Sequence, residues 1–189
     1  LVPTHDLGAN WEPAVAVDTP RPEIEDLISY LRITFMCLTY LPSSIREAVH
    51  FASCSHIQAT LRADIVDRVG RINVYGLHQL RVDVAALEEF ADECGVPQLR
   101  LCFTPLRQLL NASLDRNASR SAGNGAAGWA KSETLRLSLF PQLDADTLIA
   151  VLGKVHGLPM VSKMKFGQQQ QRSAYDLPAL DHRSASELV

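Results

Sequence analysis

Between Gly76 and Leu110 the sequence writes two amphipathic helices around a Gly/Pro break, and this stretch constrains the chain more than any other. Val84, Leu87 and Phe90 recur at helical spacing before Gly95 and Pro97, and Leu106, Leu109 and Leu110 recur after them. Asp83 reads as an N-cap whose carboxylate accepts from first-turn amides, with the helix-compatible Ala85, Ala86 and Leu87 behind it. Gly95, just past Cys94, is placed to take the left-handed residue that closes many helices. The hairpin carries no catalytic signature.

The flanking segments repeat the same period. Residues 1–21 hold Pro3, Pro13 and Pro20 with little periodicity, which predicts an extended or partly disordered lead-in anchored by Trp11. A first helix is expected to start at Pro22, with Glu23, Glu25 and Asp26 at its positive end. Ile24, Leu27, Ile28, Leu31, Phe35, Leu38 and Leu41 make one stripe; Tyr30, Ile33, Cys37 and Tyr40 make a second on a neighbouring face. A helix apolar over that much of its circumference is expected to sit between others.

Ser44 and Glu47 have capping-box spacing for a second helix running to about Val69, in which Ile57, Leu61, Ile65 and Val69 repeat. Ala48, Ala52, Ser55 and Ala59 read as a small-residue seam for close helix approach. A short helix is expected over Val74 to Leu80. Pro105 predicts a kink in the hairpin's second arm, the alternative being a helix capped at Thr104. Residues 115–134 read as a mobile Gly-rich loop, and Leu135, Leu137, Leu139 and Phe140 as a loop packing its apolar side chains. A last helix spans Asp144 to Val155, and residues 161–189 read as a disordered tail. The expected fold is all-α: a bundle of antiparallel helices over residues 22–160.

Composition excludes several functions. A net charge of -3 provides no field for nucleic acid or an anionic membrane. No window is apolar enough to span a membrane, and the first residues, without a basic region and an apolar run, do not read as a signal peptide. Cys37, Cys54, Cys94 and Cys102 sit inside apolar helical patterns, as reduced cysteines of a cytosolic protein do, so the Asn-Ala-Ser sequons at Asn111 and Asn117 are not read as glycan sites. The chain opens on Leu1, which reads as a fragment or a processed piece.

Chemistry finds little support in the residues. His50 and Cys54, four apart on one helical face, with Cys37 and His56 nearby, are too few for a zinc site. Cys54 with His50 as a thiolate pair would make a small helical enzyme, but no turn presents the thiol. Glu88, Glu89, Asp92 and Glu93 read as a solvated helix face, and Gly123, Gly125 and Gly128 lack the Lys of a phosphate loop. No cofactor and no metal is expected.

Several short runs in one order resemble the C-terminal region of exocyst complex component six, the Sec-fifteen subunit of the vesicle-tethering exocyst. They are Asp26-Leu27-Ile28-Ser29-Tyr30-Leu31-Arg32 followed by Thr34-Phe35 and Leu41-Pro42; Ser53-Cys54-Ser55-His56; Gly76 to Gln79; Val82-Asp83-Val84; Glu88 to Ala91; and Leu106 to Leu110. The resemblance implies a cytoplasmic tether of stacked helical bundles, working at secretory vesicles and plasma-membrane exocytosis sites. It also implies binding to a Rab-family small GTPase in its GTP form and contact with other exocyst subunits, a Sec-ten-like neighbour first. The exposed positions expected to meet such a partner are Arg81, Asp83, Glu88, Asp92, Arg107 and Gln108. A purely structural tether segment without GTPase recognition is the alternative. Two departures from the family pattern stand out: Asn111 to Gly128 is small and Gly-rich where an aromatic helix is usual, and a Gln-rich tail replaces a basic closing helix.

Overall fold

The computed structural model describes residues 10–114 and 132–156. They belong to one compact unit, Leu1–Pro159; a second unit, Met160–Val189, lies outside the described residues together with the Gly-rich stretch over residues 115–131 and the expected tail.

Among the described residues six α-helices carry the fold: α1 (Pro22–Cys37), α2 (Ser43–Ala63), α3 (Val74–Glu93), α4 (Thr104–Leu114), α5 (Glu133–Leu139) and α6 (Ala145–Leu152). Their facing stripes make the core. Ile24, Ile28, Leu31 and Phe35 of α1 and Cys54, Ile57 and Leu61 of α2 meet Leu77, Leu80, Val84, Leu87 and Phe90 of α3, with Leu106, Leu109 and Leu110 of α4 beyond. The all-α expectation holds, with α3 packed against both α1 and α4.

The helix boundaries differ from the sequence reading in instructive ways. Asp83 is no cap: it lies mid-helix and buried, because the stripe from Leu77 through Leu80 to Val84 continues without a turn residue and fuses the expected short helix to the hairpin's first arm. Asn73 takes the N-cap instead, its side-chain oxygen accepting from the Gly76 N–H at 2.8 Å. Ser44 caps nothing, since α2 starts at Ser43 behind Pro42, whose carbonyl accepts from Ile45 and Arg46. Pro105 makes no kink. A 3-10 segment, Leu99–Phe103, precedes α4 and puts Pro105 in the helix's first turn, where its missing N–H is not needed.

Between α3 and that segment the backbone turns through two left-handed residues, Gly95 (φ 65°) as expected and Gln98 (φ 64°), which adopts that region despite its Cβ. Residues 133–139 are helical rather than a loop, with Arg136 N–H donating to the Ser132 carbonyl one turn back, and Leu137 and Leu139 face outward. The small seam does not receive a helix either: Ala48, Ala52, Ser55 and Ala59 are exposed.

Among the described residues three short strands, which the periodicity does not announce, tie distant parts together: β1 (Asn10–Trp11), β2 (Arg71–Asn73) and β3 (Val155–His156) pair in parallel, with β2 central. Trp11 sits opposite Ile72, and Ile72 opposite Val155. A π-helical turn, Asp64–Arg68, leads α2 toward β2, and the Lys154 ammonium, carried just before β3, donates to the Val66 carbonyl inside it.

Candidate partner interface

Two surfaces of this bundle have the character of a binding site. The first is the crevice between α3 and α4, where the hairpin brings Arg81, Glu88 and Arg107 together with Val84, Ala85, Leu110 and Asn111 around a cavity of about 100 Å³. Glu88 is buried, not exposed as the spacing suggested, and it organises the arginines. Arg100 donates to one of its oxygens at 3.1 Å, and Arg107 Nε lies 3.4 Å from the other. Arg100 also donates to the exposed Asp92 at 2.8 Å, so one guanidinium bridges two turns of α3. Glu88 is the main cause of the raised pKa of Arg100, with Asp92 adding to it.

Two of the hairpin positions also make contacts within the fold. Arg81 lies 3.3 Å from the His78 ring, and the Gln108 side-chain oxygen accepts from the Gln142 N–H at 3.0 Å, holding the approach to α6. Asp83 is not part of the crevice; Arg21, from the lead-in, occupies its carboxylate.

The second surface lies on α1. Tyr30, Ile33, Met36 and Tyr40 stand out from α1 and the 3-10 turn Leu38–Tyr40 that continues it, at 66%, 60%, 65% and 95% exposure, and Leu41 and Ile45 just after them in the chain are exposed as well. The second stripe of α1, expected between helices, meets no covering element among the described residues. Periodicity could not separate the two cases, because a helix with two apolar faces looks alike whether the second is core or interface. Beside this face a pocket of about 430 Å³ opens among α1, α2 and the end of α3, lined by Phe35, Met36, Arg46, His50, Phe90 and Val96 among others.

His50 and Cys54 do not make a reactive centre. The His50 ring stacks on Phe35 at 3.9 Å between centroids and is 4% exposed, and burial, helped by Arg46, lowers its pKa. Cys54 is fully buried and its thiol is pushed up to about 12, by burial first and then by Cys102 and Cys94. Its thiolate is scarce at neutral pH. No group of three metal-ligating side chains forms among the described residues.

Residues 4–126 match the family model for the exocyst complex subunit Sec15 C-terminal region. The chain belongs to this Sec15 C-terminal family. Among curated relatives, exocyst complex component 6 of Caenorhabditis elegans is 31% identical over 152 residues, 77% of this chain and 18% of its own length. Human exocyst complex component 6B is 34% identical over 92 residues, 46% of this chain and 11% of its own, and mouse component 6 is 30% identical over 108 residues, 54% and 14%. The chain thus spans less than a fifth of the length of these Sec15-family relatives. No solved structure matches it. No helix among the described residues is long and apolar enough to cross a membrane.

Proposed function

We propose that the chain is the C-terminal helical domain of a component-six exocyst subunit and acts in vesicle tethering during exocytosis as the effector of an active Rab-family GTPase. On this reading it is a binding module and not an enzyme. It works in the cytoplasm at secretory vesicles and plasma-membrane exocytosis sites, beside a Sec-ten-like subunit. The observation that carries the effector reading is the α3–α4 crevice, where Arg81 and Arg107 flank the buried Glu88 within the family-matched region. Effectors commonly meet a GTPase with the side of a helix pair, and a fixed array of arginines beside apolar Val84 and Leu110 offers both steering charge and an apolar floor.

The test is binding of the chain to a panel of secretory and recycling Rab GTPases, each loaded with a GTP analogue and with GDP. Binding to one GTP-loaded member, lost on charge reversal at Arg81 and Arg107 together, supports the reading. Binding to none by a folded chain, or binding that survives the reversal, overturns it.

The apolar face of α1, uncovered among the described residues, favours a second reading, a structural tether segment that docks other exocyst subunits without recognising a GTPase. It predicts a stable complex with a neighbouring subunit that ignores nucleotide state.

A further inference from the structure

The pocket beside α1 holds a feature that folding does not account for. His50 is 4% exposed, yet neither ring nitrogen has a hydrogen-bond partner among the described residues. A buried imidazole has one donor and one acceptor to satisfy, and leaving both unmade is destabilising, so such a group in a native structure needs an explanation. His50 lines the pocket, together with the apolar walls of Phe35, Phe90 and Val96. The charged residues around it are Arg32, Arg46, Glu47 and Glu93, two of each sign, and Arg32 already donates to Glu93 at 2.6 Å. A balanced rim over an apolar wall does not select a carboxylate or an ammonium. It suits a bulky, uncharged group with a single polar tip.

Met36 connects this pocket to the exposed stripe: it lines the one and belongs to the other. From Tyr30 to Tyr40 the stripe follows the α1 axis for roughly 15 Å, about three turns of a helix laid along it. An object that covers the stripe therefore passes the pocket mouth.

We propose that this face of α1 seats an amphipathic helix of another polypeptide, which covers Ile33, Met36 and Tyr40 and drops a tyrosine into the pocket, its hydroxyl hydrogen-bonded to the His50 ring. A phenol can both donate and accept, so it satisfies either free nitrogen of a neutral imidazole, and its ring fits between Phe35, Phe90 and Val96. Met36 and Arg46, long and unbranched, are the lining side chains that yield to admit it. Burial lowers the pKa of His50, which keeps the ring neutral for this contact at physiological pH. The surface shares no residue with the α3–α4 crevice, so the proposal stands whether or not a GTPase binds there.

The experiment uses the whole chain and a host helix rich in Ala, Glu and Lys that displays one tyrosine with a leucine a turn before and a turn after, beside versions with Phe or Ala at the tyrosine position. The tyrosine helix is expected to bind about tenfold more tightly than the phenylalanine helix, the worth of one hydrogen bond to a buried partner, and the alanine helix weakest. The ring-nitrogen resonances of His50 shift farther with the tyrosine helix than with the phenylalanine helix, because a hydrogen bond adds to the effect of the ring. His50→Phe, which keeps an aromatic ring on Phe35, removes the Tyr-over-Phe preference while leaving the phenylalanine helix bound, and Ile33→Glu on the surface weakens all three. Equal binding of the Tyr and Phe helices to the unmodified chain overturns the proposal, as does failure of every helix to bind. So does a His50 shift with free p-cresol but with no helix, which marks a small-molecule pocket. A chain that dimerises with concentration, and becomes monomeric with Ile33→Glu, gives the face to a second copy and overturns it too.

Discussion

Arg21 grips Asp83 twice, its backbone N–H donating at 2.9 Å and its Nε at 2.6 Å to the two carboxylate oxygens of a residue in the middle of α3. The Asp83 side chain is 2% exposed, and Gln79 adds a third donor at 3.3 Å while also donating to the Thr19 carbonyl. Trp11 lies 5.0 Å beneath the guanidinium. The segment ahead of α1 is thereby tied down on α3, with His78 meeting Asp18 and Asn73 donating to the Pro13 carbonyl on the same line.

Removing one partner of a buried ion pair is worse than neutralising it, because the survivor keeps its desolvation penalty. Arg21→Ala strands the Asp83 carboxylate with a backbone amide and Gln79, and is expected to lower the unfolding free energy by about 3 kcal/mol. Asp83→Asn keeps the shape and some of the bonds and should lower it by about 1–2 kcal/mol. Urea unfolding of both variants checks the order. A larger loss for Asp83→Asn would show that the carboxylate matters for something other than Arg21.

His50 supplies a pH dependence of definite sign. Its pKa in the folded chain is lowered from 6.5, first by burial and then by Arg46 against the weaker opposite pull of Glu47. Well above 6.5 the ring is neutral in both states and contributes no slope. As pH falls through that value the unfolded chain takes up the proton first, so it binds more protons than the folded chain and stability declines, by at most about 1.4 kcal/mol per pH unit for one group. The decline continues down to the folded pKa. Urea midpoints between pH 7.5 and 5 should therefore fall more steeply for the unmodified chain than for His50→Phe, and parallel curves would refute the assignment.

Gly76 and Gly153 should respond to alanine in opposite ways. A Cβ at Gly76 would stand 2.9 Å from Ile72 and 3.1 Å from the Trp11 carbonyl, where β1 and β2 press on the start of α3. Relief means moving a buried side chain and a strand, so Gly76→Ala should cost about 1–3 kcal/mol. At Gly153 the nearest atoms are 3.4 Å and 3.6 Å away, and φ is -64°, which any residue adopts. Gly153→Ala should be neutral or stabilise by up to about 1 kcal/mol through the unfolded chain. Thermal melts of the two variants decide it.

Helix cores could be read from the sequence wherever one stripe dominated. Ile24, Ile28, Leu31 and Phe35 keep a four- and three-residue rhythm and are all buried, as are Ile57, Leu61, Ile65 and Val69. The family could be read too, because the runs that carry it lie in order along those helices. Asp83 is deceptive because an acidic residue before Ala85 and Ala86 looks like a cap; Arg21, whose hydrogen bonds to it span 62 positions, together with Gln79 makes a buried mid-helix carboxylate tolerable. The strands escaped because each is two or three residues long and pairs with segments far away in the chain. Of the hairpin positions, Arg81, Glu88 and Arg107 do converge, but side-chain spacing could not show that Glu88 is the buried hub.

The four cysteines offer a test that separates a buried core from a reactive thiol. Alkylation needs the thiolate, so rate follows exposure and pKa together. Cys37 is exposed on α1, Cys94 and Cys102 are half-buried, and Cys54 is fully buried. Burial, with Glu93 adding to it, raises the pKa of Cys94, and Cys54 is pushed up to about 12. At pH 8 a thiol of that pKa is ionised to about one part in ten thousand, before any hindrance to reagent is counted. Iodoacetamide on the native chain should therefore modify Cys37 first and Cys54 last, with mass spectrometry of peptides giving the order. In denaturant the four should react at similar rates. Fast, selective modification of Cys54 in the native chain would mean that the thiol is activated by its neighbour His50, and the enzymatic reading of that pair would have to be reopened. Slow modification instead leaves Cys54 as a small apolar filler between α2 and the segments that carry Cys94 and Cys102.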